Sequence, residues 1–463
     1  MIEVKYRSNI KLKNIQISFN KNTDDDAKKY MSETTGIIPL VVIKDVLISE
    51  EDIIEFKLYN SKFSPCVDIT FRDSSGKLKD SSFPLDNEVV GILIRSNSEL
   101  NMPIRIDFKI LVFNPMKNRN DESNVIEYKL YGELNVDELY FSNFRSYKGN
   151  SFDVLQKVSK ECNLGFATNI SNTNDTMVWI NPNDKTKDFI EDVVLHSYKD
   201  DTSFLWSYID FYYNLVYFDI ENCLNDDISN LQGTNPFGVL SDSKKETLNS
   251  LYLSNHPSLK GTNKYINKYD IINSSTEINL ELGYKTRVRF YDKTEKNFNT
   301  TLLDTISTVG DGTGIVLKDN TDSKIIDNVV GGNYLGKLDR DNIHPNYLYA
   351  YHQNSNNLDF LQKIRMTITI KGQMNFNLIR FQKILVKLYD LSNPNKTKKE
   401  KSMPIENYDD AMSRDEDKIN QRLSGEWLIT GINFVYSINN GNYQEITLVK
   451  RELSSTYNGK NNE

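Results

Sequence analysis

The sequence predicts an α+β fold, mainly β, in which two β-barrels flank a small inserted α+β module. Three observations carry this reading. Ile364, Met366, Ile368 and Ile370 alternate with Arg365, Thr367, Thr369 and Lys371, the period of two that marks a strand with one buried and one wet face. Asn439-Asn440-Gly441 separates two further alternating runs, Trp427 to Tyr436 and Tyr443 to Arg451, and Asn-Gly at that place signals a hairpin. Between the β-rich ends, residues 149–221 change to helical spacing.

The elements follow in chain order. Residues 1–148 form the first β domain, with strands at Val67 to Phe71, Ile104 to Val112 and Glu127 to Leu134, and a turn at Asp73-Ser74-Ser75-Gly76. A closed barrel is expected because it leaves no strand edge to aggregate. Residues 149–221 form the module. Ser151 is placed to cap a helix burying Phe152, Leu155, Val158 and Cys162, with Gly165 as its stop, and Val178-Trp179-Ile180 is a short strand. Asp188 is placed to cap a second helix presenting Phe189, Ile190, Val193 and Val194, with Glu191 closing a capping box. A third helix, from about Asp201 to Asn214, shows the stripe Phe204, Tyr208, Tyr212 and leads into a strand over Leu215 to Ile220. Residues 222–280 carry no pattern and read as an irregular excursion.

Residues 281–463 form the second barrel with its insertions. A strand runs over Thr286 to Tyr291, a Gly-rich stretch lies at Gly310 to Gly314, and the barrel proper begins near Tyr347. A polar insertion between Ser392 and Gly425 is basic at Lys396 to Lys401 and helical near Asp409 to Arg422. Ile384, Val386 and Leu388 supply one more strand before it.

At 463 residues the chain suffices for about three domains. Its formal charge of −8 argues against a general nucleic-acid-binding surface. Asn makes up roughly 12 % of the chain, a bias of composition that weakens any argument from a single Asn. Cys66, Cys162 and Cys223 are too few and too scattered for a disulfide framework or a zinc site, and a reducing compartment fits. The amino terminus lacks the apolar stretch of a signal peptide, and no run spans a bilayer, so cytoplasmic synthesis without membrane insertion is expected.

Chemistry is hard to find. His196, His256, His344 and His352 show no metal-ligand spacing. The Gly310 to Gly314 stretch lacks the Lys-Ser/Thr of a phosphate loop, since Ile315-Val316 follows, and reads as a turn. No Gly-x-Ser-x-Gly elbow occurs. The carboxylates at Asp24 to Asp26 and Asp409-Asp410 read as solvated charge, because glycosidase chemistry needs two held across a cleft. No catalytic residue, metal ligand or cofactor is therefore assigned. Among the aromatics of 204–217, Trp206, Tyr213 and Tyr217 lie off the helical stripe and are candidates for exposed protein-interface positions.

The strand order KIRMTITIKG, ILVKLYDL and LSGEWLITGINFVYSINNGNYQEITLVKREL resembles the last strands of baseplate hub proteins of contractile-tailed bacteriophages, relatives of tail-tube proteins and of VgrG-type hubs. SFDVLQKVSKECNLGFATN and DDTSFLWSYIDFYYNLVYFDIE resemble the helix–strand modules between the barrels of such hubs. The resemblance covers about half of the chain and brings no residue-level functional motif. It implies tail-tube-like barrels and a non-enzymatic structural role in the virion, at the tail baseplate. It also implies a homotrimer that adapts a six-fold tail tube to a three-fold central spike and lines a channel for transient passage of DNA. The tail tube protein, the central spike and other baseplate and tape-measure proteins are the expected partners. A hub or adaptor of a bacterial injection or secretion machine is the alternative, with a tail-associated cell-wall hydrolase behind it.

Overall fold

The computed structural model describes residues 2–10, 39–94, 104–116, 126–226, 252–274, 285–292, 297–304, 329–332, 337–338, 343–389 and 419–453, apart from a few positions inside these spans. Gly310 to Gly314, Lys396 to Lys401, Asp24 to Asp26 and most of the helix expected near Asp409 to Arg422 lie outside the described residues.

Short strands open the chain: β1 (Glu3–Tyr6), β2 (Leu40–Ile43), β3 (Val46–Ile48), β4 (Ile53–Asn60), β5 (Cys66–Arg72), β6 (Val89–Ile94), β7 (Ile104–Met116) and β8 (Glu127–Leu134). The expected alternation is visible in β8, where Tyr128, Leu130 and Leu134 are buried and Lys129 is exposed. In β7 the register slips between Ile110 and Val112, a bulge that turns Leu111 and Val112 outward.

The module follows as β9 (Ser142–Gly149), α1 (Ser151–Glu161), β10 (Gly165–Thr168), β11 (Met177–Lys185), α2 (Thr186–Leu195), β12 (Leu205–Ile209), β13 (Asn214–Asp219) and the short α3 (Ile220–Asn225). Helix α1 is capped by Asn150, whose side chain accepts from the Asp153 amide, and not by Ser151. Its left-handed residue is Asn163 (φ 57°), and Gly165 starts the next strand. Lys185 occupies the N-cap of α2 without a side-chain bond, so the Asp188 cap does not form. The expected third helix is absent. Its residues make β12, a tight turn and β13, which pair antiparallel with Tyr208 opposite Val216.

The remaining elements are β14 (Tyr252–Ser254), β15 (Lys268–Asn273), β16 (Lys285–Asp292), β17 (Asn297–Asp304), β18 (Val329–Gly332), β19 (Lys337–Leu338), α4 (Tyr347–Leu361), β20 (Ile364–Lys371), β21 (Lys383–Lys387), β22 (Gly425–Ser437) and β23 (Gly441–Lys450). Two corrections fall here. Residues 252–273, read as part of a patternless excursion, supply two strands, and Tyr347, read as the start of barrel strands, opens a helix. The β22–β23 turn is closed by the Asn440 amide on the Ser437 carbonyl, with Gly441 alone at positive φ (67°). Only one residue of the Asn-Gly pair takes the left-handed conformation.

The architecture is α+β and mainly β, but the described strands do not close into two barrels. They join instead in one sheet of 13 strands, whose path runs β15-β20-β23-β22-β4-β5-β8-β7-β6-β2-β3, with β14 and β21 beside it. The junction is the antiparallel pairing of β22 with β4, from Ile432 opposite Asn60 to Ser437 opposite Glu55. Strand β22 is long enough to serve two partners along one edge. Gly425 to Leu428 pair with β21, and Ile432 onward pair with β4.

A second sheet, β1-β10-β13-β12, belongs to the module and is parallel only between β10 and β13. Residues 3–6, expected in the first β domain, sit at its edge against β10. Strand β13 is buried on both faces, which is why it shows no alternation. Strands β9 and β11 form a separate two-stranded ribbon, and β16 to β19 a small sheet. One apolar core runs from the long sheet into α1 and α2, so module and sheet pack as one body.

Candidate functional site

Of the three aromatics expected at the surface, the structure leaves one partly there. Tyr217 is fully buried, and its hydroxyl lies 3.1 Å from Ser151 Oγ, in a network where buried Asp175 accepts from the Ser151 amide (2.9 Å), Ser151 Oγ (2.6 Å) and the Tyr198 amide (2.8 Å). Tyr213, 4 % exposed, sits in the turn between β12 and β13 at φ 61°, and its hydroxyl accepts from the Asp107 amide. Both premises of exposure fail for the same reason. A strand pair packed between a helical layer and a sheet buries both of its faces, whereas a surface helix would bury only one. Trp206 is half-buried on β12 and reaches a cleft.

That cleft, about 230 Å³, lies where the module meets the long sheet. Its walls are the β4–β5 loop (Ser61, Lys62, Phe63), helix α2 (Glu191, Val194, Leu195) and β12 (Trp206, Ser207), and Arg380 joins them from the segment before β21. Val194 and Leu195 come from the buried stripe of α2 and its end, and Glu191 comes from the shoulder of that stripe. Burial raises the Glu191 carboxyl above its ordinary range, with Lys187 opposing and Asp188 adding to the rise.

No motif in the sequence marks Arg380. It is 4 % exposed. It sits where the β21 and β4 pairings along β22 leave a gap at Thr430, and there Nε donates to the Thr430 carbonyl (2.7 Å). Nη1 donates to the Lys62 carbonyl (2.6 Å) and Nη2 reaches the Ser61 carbonyl at 3.4 Å. The guanidinium also lies over the Tyr208 ring, 4.4 Å from its centroid. Burial lowers its pKa to about 10, against the opposing influence of Tyr208. A smaller cavity of about 20 Å³, room for about one water, is lined by Arg380 together with Tyr208 and Asp210. The Asp210 carboxylate is occupied by the turn, accepting from the amides of Tyr212 and Asn214 and from Asn214 Nδ2.

Other groups have packing roles. His196 stacks on Tyr347 with centroids 3.9 Å apart, His344 Nε2 contacts the His196 carbonyl at 3.0 Å, and His256 caps a short 3-10 turn. The side chain of His352 lies outside the described residues. Cys66, Cys162 and Cys223 are buried free thiols, and burial pushes Cys162 up to about 12. Among the described residues no cluster of His, Cys, Asp and Glu could hold a metal ion, and no helix is long and apolar enough to cross a membrane.

Exposed apolar side chains among the described residues include two groups. The outer face of the β9–β11 ribbon carries Phe144 (79 % exposed), opposite Pro182, and Ile180 (61 %), opposite Ser146. The strands ending the long sheet expose Leu47 on β3 and Tyr269 and Ile272 on β15.

No protein-family model matches the chain, and no curated protein matches it in sequence. Solved structures do resemble it. A tail protein from Neisseria meningitidis MC58 matches with TM-score 0.49 and 12 % identity, over 90 % of this chain and 96 % of that one. The 43 kDa tail protein of prophage MuSo2 from Shewanella oneidensis matches with TM-score 0.48 and 11 % identity, over 90 % and 97 %. An Escherichia coli component of the type VI secretion system matches with TM-score 0.42 and 9 % identity, over 89 % and 78 %. The structural neighbours of this chain are thus phage tail proteins and type VI secretion proteins of the VgrG kind.

Proposed function

We propose that the chain is a non-enzymatic hub of a contractile-tail baseplate, three copies of which close a ring between a six-fold tail tube and a three-fold spike. The observation that carries this reading is the β22–β4 junction. It joins the amino-terminal strands β2 to β8 and the carboxy-terminal strands β20 to β23 into one hydrogen-bonded wall. Each copy would offer two joined β halves, so that three copies would present six β units to a hexagonal neighbour and three chains to a trimeric one.

Ring closure uses the ends of the wall. Among the described residues β3 pairs with β2 and β15 with β20, and their other edges are where a further strand would pair. Pairing β15 of one copy with β3 of the next is a head-to-tail contact, which generates a closed ring when the rotation fits. Leu47, Tyr269 and Ile272 are then covered. The acidic chain suits a channel through which DNA slides without being held, because a phosphate-binding wall would retain it. The tube, spike and other baseplate and tape-measure proteins are the partners in this reading, and the virion tail is its place.

Cysteines at Leu47 and Ile272 in the same chain test it. Oxidation of the double variant, with the spike protein present, is expected to give covalent trimers, while either single variant gives none beyond background. A chain that stays monomeric with the spike at every concentration, by light scattering, overturns the ring. A trimer without a Leu47–Ile272 cross-link overturns the edge pairing.

A further inference from the structure

The β9–β11 ribbon turns one face to the protein and the other to solvent. On the inner face Tyr147 stacks on Phe189 of α2 with centroids 5.6 Å apart, and buried Trp179 donates from Nε1 to the Gly149 carbonyl. These contacts pin a two-stranded ribbon that is marginal in water by itself. The outer face sets Phe144 opposite Pro182 and Ile180 opposite Ser146, successive pairs on one side of the pleat. Phe144, at 79 % exposure, is the most exposed large apolar side chain among the described residues. Both ends of this face are cationic. Lys148 lies opposite Val178 and Lys185 opposite Ser142, both are exposed, and among the described residues neither forms an ion pair. Arg145, on the other side of the pleat, is held by Glu161 at 2.6 Å. The only carboxylate within the two strands is Asp184, in the bulge between Pro182 and Lys185. The strip is thus apolar at its centre and basic at its ends, on a chain whose formal charge is −8. Ser142 and Lys148 are six residues apart along β9, which sets the two lysines roughly 20 Å apart with the apolar pairs between them. A lipid surface takes up cations at any spacing. A protein strand favours this one, because its side chains recur on one face every two residues.

We propose that the outer face of the ribbon receives an extended acidic strand of a partner protein. Its apolar side chains at i and i+2 cover Phe144, Pro182 and Ile180, and its carboxylates at i−2 and i+4 meet Lys148 and Lys185. Those four side chains share one face of the incoming strand, and its two carboxylates are as far apart as the two lysines. The apolar centre excludes water, while the ion pairs at the rim set register and orientation. The site uses neither the β3 nor the β15 edge, so it stands or falls separately from the hub reading.

Ile180 supplies the readout. The intact chain, labelled at its isoleucine δ1 methyl groups, is titrated with two blocked peptides, acetyl-Asp-Ser-Val-Ser-Phe-Ser-Asp-amide and its counterpart with Lys at both ends. The Ile180 resonance is identified by its loss in Ile180→Val. The acidic peptide is expected to shift that resonance and to bind about tenfold more tightly than the basic one, as two rim attractions against two repulsions imply. Lys148→Glu combined with Lys185→Glu is expected to reverse the preference, and Phe144→Ser to weaken binding about tenfold or more. All three positions are exposed, so the other methyl resonances are expected to stay in place and report an intact fold. Equal binding of the two peptides overturns the proposal, as does an Ile180 resonance unmoved at millimolar acidic peptide. Two other occupants show in the same spectra. A response to phosphatidylglycerol vesicles but to neither peptide makes the face a lipid-binding one, and a shift that grows with protein concentration alone makes it a contact between copies of this chain. Either result also overturns the proposal.

Discussion

The amide of Asp107 donates to the hydroxyl of Tyr213 at 2.8 Å, a bond between the long sheet and the β12–β13 turn of the module. Both residues are buried, and Tyr213 holds the left-handed conformation that presents its ring to β7. Removing the hydroxyl leaves a buried backbone donor unpaired. Tyr213→Phe is expected to destabilise the fold by about 1–3 kcal/mol with little change in secondary structure, as measured by urea unfolding.

The same region sets a pH dependence. Burial pushes the carboxyls of Asp107 and Asp210 up to about 6, against the influence of Arg105 on the first and the turn hydrogen bonds on the second. Unfolded, both return to about 3.9. The folded state therefore binds protons that the unfolded state does not at pH values between these limits. The resulting contribution to stability is fully present below about pH 4, is lost as pH rises through about 6, and is of order 1–3 kcal/mol per group. Among the described residues Asp107 Oδ1 has no hydrogen-bond partner to lose, and Asp107→Asn is expected to flatten the slope of melting temperature between about pH 5 and 7. An unchanged slope contradicts the assignment.

Glu221 and Arg451 form a buried ion pair between α3 and the end of β23, with both side chains 4–5 % exposed. Burial raises the Glu221 carboxyl while Arg451 opposes the rise. Arg451→Ala leaves the acid without its partner and is expected to cost about 3–5 kcal/mol. Adding Glu221→Gln is expected to recover part of that loss, a coupling that a double-mutant cycle of chemical unfolding measures.

Gly165 has no room for a side chain. A Cβ there would lie 2.8 Å from the Ser8 amide and 2.9 Å from the Tyr6 carbonyl, backbone atoms that cannot rotate away, and would collide with Asn214 Oδ1. Gly165→Ala is expected to separate β1 from β10, seen as lost hydrogen-exchange protection at Val4 and Tyr6, with destabilisation of about 1–3 kcal/mol.

Much of the long sheet was legible because its strands are wet on one face. The alternation of β8, β20 and β23 survives folding, and their positions follow from it. The β12–β13 pair was misread for the opposite reason. With both faces covered it lacks a two-residue period, and Phe204, Tyr208 and Tyr212 fall by coincidence at helical spacing. Its turn was hidden too, since a tyrosine at positive φ is disfavoured and gives no sequence signal. Strand β14 has only three residues and β15 is mostly exposed, and their identity comes from β21 and β20 alongside them. The role of Arg380 depends on carbonyls about 320 and 50 residues away, which no local pattern can reveal.

The β22–β4 seam also constrains how the chain matures. Tyr59 finds its cross-strand mate, Asn433, only after more than 370 further residues have been made. During synthesis the amino-terminal strands wait with an open flank, a state prone to mispairing with other nascent chains. Completion is therefore a late, long-range zippering event, slow by topology. A ribosome that stalls before residue 425 releases an unsealed β-template rather than a smaller working part.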